Sequence, residues 1–297
     1  MVSLALPTGS LEEPTLELFA AADLPVDRRA PRAYRAVIDH PAVDRVVFYK
    51  PREIPLIVAN GTCDAGITGA DWVVETGAKV EVVHTLDYSR SSRSGWRVVL
   101  AVPEGHPART VADLADGVRV ATEYPAIARE YFRRSGVRAE VLHSHGTTEA
   151  KIPDLADAVV EVVETGSSLR ENGLRVLDTV RRCGVNLVAS PAAWADKAGR
   201  ESIRTLSTLL RAAYAGHQYR LLTIVLPADR WADAEPLLPP RWWRLDGGPG
   251  TVVLQGAYAR GEVAEAVALL VAAGAVEIVE TPIRKFVGDR TSIHPDE

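Results

Sequence analysis

Short apolar runs that end at a glycine or proline and hand over to a helical pattern recur along most of the chain. This alternation restricts the fold more than any other feature. "VSLALP" stops at "TGS", and Leu11, Leu16, Leu18 and Phe19 then follow at helical spacing. "RVVFYK" reads as a strand, "PREIPLIVANG" as a short helix ending at Gly61, "CDAGITG" as a strand and turn, and "ADWVVETG" as a helix. "WRVVLAVP", "VRVATEYP" and "AEVLHSHG" read as strands, with "AIAREYFRRSG" a helix before the third. "TVADLADG" predicts a helix with Thr110 as N-cap and Gly117 as C-cap. "GTTEAKIPDLA" is a loop or short helix, and "NLVASPAAWADKAGRESIRTLSTLLRAAYAG" runs from a strand into a long helix. Strands alternating with helices argue for α/β layers with mostly parallel strands.

After Gly216 the order changes to strand, helix, two strands, helix, strand, carried by "HQYRLLTIVLP", "ADRWADAEPLL", "RWWRL", "TVVLQGAYA", "GEVAEAVALLVAAG" and "VEIVETPI". This is the split-βαβ, ferredoxin-like arrangement and predicts a separate C-terminal domain. A chain of 297 residues has room for about two domains of ~150 residues and a small third. Net charge is −5, so there is no global basic field for nucleic acid. Cys63 and Cys183 form neither a disulfide framework nor a metal-ligand spacing. No apolar run approaches the ~20 residues that span a bilayer, and "MVSLALPTGS" reads as a first strand and turn, not a signal peptide. The expectation is a cytoplasmic protein without membrane partners.

The stretch with the most chemistry is "ADAVVEVVETGSSLRENGL". Asp157 and Glu161 sit inside an apolar run, and strand periodicity puts them on one face. Two acids aimed together at a strand's C-terminal end repel unless a polyol or a magnesium ion relieves them. Thr165, Gly166, Ser167 and Ser168 then offer three hydroxyls and successive backbone N–H groups at the start of a helix, a cradle for a phosphate. Acids for a sugar and amides for its phosphate describe a sugar-phosphate site. The plainer reading of the turn is a helix cap, but acids in an apolar strand call for a reason.

This stretch resembles the phosphoribosyl-diphosphate (PRPP) motif of the ATP phosphoribosyltransferases, which open histidine biosynthesis. "LALPTGSLEEPTLELF", "REIPLIVANGTCDAGITGADWVVETGA", "VRVATEYPAIAREYFRRSGV", "GTTEAKIPDLADAVVE" and "GAVEIVETPIRKFV" are similar, in order, to further blocks of the family's long form. The resemblance implies a two-lobed, periplasmic-binding-protein-like catalytic unit with an ACT-like third domain. Residues 1–95 and 185–213 would form lobe I, 96–184 lobe II, and 214–297 the regulatory or oligomerising domain. It implies magnesium-dependent condensation of ATP with PRPP in a homo-oligomer, dimer or hexamer. Asp157, Glu161 and Lys50 would be catalytic, with Asp157 and Glu161 at the metal. Glu164, Thr165, Gly166, Ser167, Ser168 and Leu169 would hold PRPP. Thr8, Gly9, Asp71 and Glu149 would serve ATP, with Asp71 and Glu149 on facing walls of the cleft.

The sequence departs from the family in three places. Thr8 stands where Lys is usual and Lys50 where Arg is usual, and Lys lacks the bidentate fork of Arg at an anion site. "LLPPRWWRLDGGPGTVVLQG" is shorter than the family's histidine-binding segment. A PRPP transferase with another acceptor, or a two-lobed anion sensor without chemistry, are the alternatives. Arg90 and Arg93, in the polar stretch 89–96, are further candidates for a substrate phosphate.

Overall fold

The computed structural model describes residues 1–30, 32–86 and 96–288. Arg90 and Arg93 lie outside the described residues. The strands β1 (Val2–Pro7), β2 (Arg35–Ala36), β3 (Val43–Tyr49), β4 (Ala65–Gly69) and β5 (Glu81–Leu86) come first, with helices α1 (Glu12–Ala21), α2 (Ile54–Ala59) and α3 (Ala70–Thr76) between them. Next come β6 (Trp96–Pro103), β7 (Val118–Thr122), β8 (Ala139–His143), β9 (Ala158–Val163) and β10 (Leu174–Cys183), with α4 (Pro125–Ser135) and α5 (Ser167–Glu171). Gly184 leads into β11 (Val185–Ala189), α6 (Pro191–Ala195) and the long α7 (Lys197–Gln218).

Two sheets result. Lobe I has the strand order β2-β3-β1-β4-β11-β5, and lobe II the order β10-β6-β9-β7-β8. In lobe I, β1 runs parallel to β3 and β4, while β11 is antiparallel to β4 and β5. In lobe II, β7 runs parallel to β8 and β9. Every residue of β1 and β4 is buried, which is why these strands read as unbroken apolar runs rather than alternations. The polar exception in β1, Ser3, is matched by Asp64, whose Oδ2 accepts from both its N–H and its hydroxyl at 2.8 Å.

Three local expectations change. The "TVADLADG" segment makes only a 3₁₀ turn at Val111–Asp113, with Leu114 as its C-cap. Asp113 Oδ2 accepts from the N–H groups of Arg109 and Thr110 and from the Thr110 hydroxyl. That local closure competes with helix propagation, and Gly117, at φ +83°, serves the turn into β7 instead. The strands β5 and β10 are absent from the periodicity reading. The register of β10 against β6 shifts twice, which breaks the period-two alternation that would reveal a strand.

Beyond α7 the chain forms β12 (Tyr219–Pro227), α8 (Trp231–Ala234), β13 (Trp242–Asp246), β14 (Thr251–Ala259), α9 (Val263–Ala272) and β15 (Glu277–Pro282). The order β13-β14-β12-β15, antiparallel throughout, is that of the ferredoxin-like fold. Leu222, Ile224, Leu226, Leu254 and Leu270 fill its core. Adjacent tryptophans split as strand geometry requires: Trp242 packs on that core beside Trp231, while Trp243 is exposed. The chain divides into two compact units, Met1–Glu17 with Pro25–Ser207, and Leu18–Leu24 with Thr208–Glu297.

Candidate functional site

Because β7, β8 and β9 are parallel, Thr122, His143 and Val163 end at one edge of the lobe II sheet. The segments just past those ends carry the chemistry, as expected for the carboxyl ends of parallel strands. After β9 the chain turns at Gly166, whose φ of +73° makes it the left-handed N-cap of α5. Ser167 and Ser168 are exposed, and the Thr165 and Ser167 hydroxyls are 3.1 Å apart. Leu169 is buried in the lobe II core, so it fixes the turn from below and presents no polar group. Arg170 Nη1 donates to the Thr165 carbonyl at 3.0 Å, placing a guanidinium against the turn. With only five residues, α5 contributes directed N–H groups more than a long dipole.

The loop after β8 abuts this turn. Glu149 Oε1 accepts from the Ser168 hydroxyl at 2.6 Å. Glu149 therefore belongs to the same edge as the turn. Its loop is set by Lys151, whose Nζ donates to Ser144 Oγ at 2.6 Å and to the Gly146 carbonyl at 2.9 Å. Buried Ser144 and Thr148 share a 3.0 Å hydrogen bond, and Thr147 takes a positive φ of +49°. Glu161 is half-buried on β9 and accepts from the Val162 N–H at 2.9 Å. Burial raises its pKa, the charges of Glu123 and Glu149 add to the rise, and hydrogen bonds from Val162 and Thr148 oppose it.

Asp157 is elsewhere. It precedes the first residue of β9, and four residues at ~3.3 Å each separate it from Glu161 by about 13 Å. Period two puts the acids on one face but at opposite ends of the strand. Asp157 is engaged by the Arg119 guanidinium at 2.7 and 3.1 Å and by the Arg119 N–H at 3.0 Å. Among the described residues no group of three or more His, Cys, Asp and Glu side chains is arranged to hold a metal ion.

The same strand logic orders lobe I. Parallel β1, β3 and β4 end at Pro7, Tyr49 and Gly69, and Thr8, Gly9, Lys50 and Asp71 follow closely. The Thr8 N–H and hydroxyl both bond the Tyr49 carbonyl, at 2.8 and 3.2 Å, so the side chain ties two strand ends together. Gly9 has φ +78°, and Lys50 is exposed. A cavity of about 430 Å³ lies over Gly9, Ser10, Glu13, Pro14 and Glu17. It carries two carboxylates and no cation, which suits neither substrate's phosphates. Asp71 is 2% exposed, and its Oδ1 has no hydrogen-bond partner among the described residues. Burial dominates and raises its pKa, although Tyr124, Trp96 and nearby backbone groups favour the charged form. Asp71 is thus enclosed rather than lining an open wall.

The two edges approach at Tyr124, a residue the sequence reading passes over. Its ring lies 4.5 Å from that of Trp72 at the start of α3. Burial drives its pKa far up, with further contributions from Asp71, Glu161 and Glu123. Tyr124, Arg170, Lys151 and Thr148 escape a sequence reading because each acts through a neighbour distant in the chain or through a backbone group.

These features define a two-lobed α/β unit with a glycine- and hydroxyl-bearing turn at one strand-end edge, joined in sequence to a ferredoxin-like domain. Residues 50–212 match the ATP phosphoribosyltransferase (HisG) family. The ATP phosphoribosyltransferase of Chlorobium phaeovibrioides is 37% identical, covering 97% of this chain and 98% of that protein. That of Koribacter versatilis is 38% identical over 96% of this chain and 98% of its own. The ATP phosphoribosyl transferase (HisG:HisZ) complex from Thermotoga maritima shares the fold, with a TM-score of 0.59 at 23% identity over 71% of this chain and 96% of that chain. The chain belongs to the ATP phosphoribosyltransferase family.

Two outcomes follow from the turn and from the Asp157 contact. Gly166→Val forces a β-branched residue into positive φ, with its Cβ 3.2 Å from Arg170 Nη1. If the turn holds PRPP, the affinity read by calorimetry falls at least ~10-fold while the circular dichroism spectrum is retained; unchanged affinity in the folded variant contradicts that role for the turn. For Asp157, the Arg119 hydrogen bond depresses the folded pKa. Its stabilisation is therefore present above the unfolded value of ~3.9 and is lost as pH falls through the lower folded value. With 42% of the side chain exposed, Asp157→Asn costs only ~0.5 kcal/mol at pH 7. In urea titrations that difference shrinks toward zero in acid; a constant difference shows that shape, not charge, is responsible.

Proposed function

We propose that lobe II holds PRPP at the edge formed by β7, β8 and β9, and that lobe I brings ATP to it. Family membership assigns the reaction itself: the chain condenses ATP with PRPP to give N1-(5-phosphoribosyl)-ATP and pyrophosphate, the first step of histidine biosynthesis. This sets aside another acceptor and the non-catalytic sensor. The observation that carries the site assignment is the turn at residues 165–168, whose exposed hydroxyls and helix-start N–H groups stand at the shared end of three parallel strands.

In this reading the 5-phosphate of PRPP rests on Thr165, Gly166, Ser167 and Ser168, with Arg170 alongside, and Glu164 closes the strand end behind it. Glu149 leaves Ser168 as the phosphate arrives, since two acceptors cannot share one hydroxyl proton. Glu161 faces the ribose hydroxyls. The half-buried Glu161 beside Glu123 and Glu149 is a carboxyl whose charge a cation would stabilise, which fits Mg²⁺ carried mainly by substrate oxygens and water. When bound, Mg²⁺ supplies positive charge to the departing pyrophosphate. Lys50 and the Gly9 N–H offer the polyphosphates their positive ends on lobe I, with Thr8 holding the two strand ends in place. No side-chain nucleophile is required: the attacking atom is N1 of ATP, and the lobes supply orientation and exclusion of water.

The domain division that goes with this reading is lobe I at 1–95 and 185–213, lobe II at 96–184 and the third domain at 214–297. The exposed Leu245 on β13 and Val279 on β15 lie on edge strands that need covering, which supports a homo-oligomer built through the ferredoxin-like sheet. The described residues include no helix long and apolar enough to cross a membrane, which agrees with a cytoplasmic enzyme. The short 237–256 segment supports weak feedback: histidine inhibition of the intact protein is expected only above micromolar concentrations, and a steady-state titration checks it.

Incubation with ATP, PRPP and Mg²⁺ yields phosphoribosyl-ATP, followed by absorbance or mass. Glu161→Gln lowers turnover ~10- to 100-fold, with the larger loss at limiting Mg²⁺. An equal loss at limiting and saturating Mg²⁺ removes Glu161 from the neighbourhood of the ion.

A further inference from the structure

Helix α4 of lobe II begins without a cap of its own. Its N-cap residue, Tyr124, makes no side-chain capping bond, and Pro125 follows. The N–H groups of Ala126 and Ile127 would be left open, and an open helix start ordinarily takes Ser, Thr, Asp or Asn. Here both are taken by a carboxylate from the other lobe. Glu75, on α3, accepts from Ala126 N–H through Oε1 and from Ile127 N–H through Oε2, each at 2.9 Å. A negative charge at this end also meets the positive pole of an eleven-residue helix.

One turn earlier on the same face of α3, Trp72 lies against Tyr124 at 4.5 Å. Asp71, buried at the head of α3, sits beside the same tyrosine. These contacts join the helix that leaves β4 to the helix that leaves β7, directly behind the two strand-end edges. Apolar packing does not complete the join. A cleft of about 250 Å³ opens between Val74, Ile127, Tyr131 and Val180, and Val74 is 40% exposed. The directed bonds of Glu75, not a filled interface, therefore fix the angle there.

We propose that Glu75 is a positioning residue for the transferase reaction. By capping α4 across the lobe boundary it sets the angle at which the wall holding PRPP meets the wall holding ATP. The inference rests on the placement of the substrates on the two lobes described above. Glu75 touches neither substrate. It acts through the α3–α4 pair on the separation between ATP N1 and the ribose C1, and a misplacement of ~1 Å at the reacting atoms can cost ~100-fold in rate. Loss of the cap should accordingly lower kcat and spare ground-state binding, since each substrate is held within one lobe.

The test uses the full chain and two readouts. Cysteines introduced at Leu56 in lobe I and Leu155 in lobe II, both exposed, accept spin labels, while native Cys63 and Cys183 are buried. Pulsed electron resonance on the labelled protein gives one narrow interlobe distance, and Glu75→Ala broadens it. In the unlabelled background Glu75→Ala lowers kcat ~10- to 100-fold, with KM for ATP and for PRPP each within ~3-fold of the parent. Glu75→Gln keeps the shape and one acceptor oxygen and falls between the two. It also stands in if Glu75→Ala does not fold. A distance distribution as narrow as the parent's, or a kcat equal to the parent's in a folded variant, overturns the proposal. If the parent itself lacks transferase activity, the distance measurement still decides the role of Glu75, so failure of the substrate placement is seen separately.

Discussion

Strand direction is the constraint on which the catalytic unit depends. Within each lobe three strands run the same way, so three successive chain segments must emerge at the same edge. Thr8, Lys50 and Asp71 are far apart in sequence, yet β1, β3 and β4 deliver them together. Glu123, Glu149 and the turn at Gly166 are likewise delivered by β7, β8 and β9. The strands β1 and β4 are buried throughout and β7 and β9 along most of their length, while β3 and β8 keep exposed residues; the strand-end edges are where polar groups from all six can meet a ligand.

The clustered groups are not at ease with one another. Burial raises the pKa of Glu161, with Glu123 and Glu149 adding to the rise, and Asp71 is enclosed with one oxygen unpartnered among the described residues. The nearby cations are committed to neutral oxygens: Lys151 to Ser144 and Gly146, Arg170 to Thr165. In the proposed reading this edge holds negative charge that an ion and a substrate's hydroxyls relieve, and binding energy becomes available when they do. The turn is rigid for a different reason. Gly166 supplies the left-handed conformation and Leu169 locks the following residue into the core, so the hydroxyls of Ser167 and Ser168 stay presented.

Much of this is legible in the chain. The glycine-terminated alternation gives the α/β layers and the parallel sets β1-β3-β4 and β7-β8-β9, but not the antiparallel pairings of β2, β5, β6, β10 and β11 that make both sheets mixed rather than mostly parallel. The order after Gly216 gives the ferredoxin-like sheet with its edge strands. The turn is legible because Thr-Gly-Ser-Ser is local chemistry. What is not legible is the partner of a side chain. Asp157 and Glu161 share a face by periodicity and their spacing sets them ~13 Å apart, but nothing in the sequence names Arg119 as the group that engages Asp157. Segments governed by local side-chain bonds also mislead, as Asp113 does by closing a turn where a helix pattern reads. Bridges such as Glu75 to α4 are invisible because nothing in "DWVVETG" states which helix lacks a cap.

Hydrogen exchange on the intact protein tests the central claim, that the strand-end edges form the two halves of one site, most directly. PRPP with Mg²⁺ should slow exchange at residues 122–124, 144–149 and 164–168. ATP, added with a non-hydrolysable PRPP analogue, should extend protection to residues 8–10, 49–51 and 69–72. Protection that spares both edges, or that appears first over residues 219–282, would contradict the account.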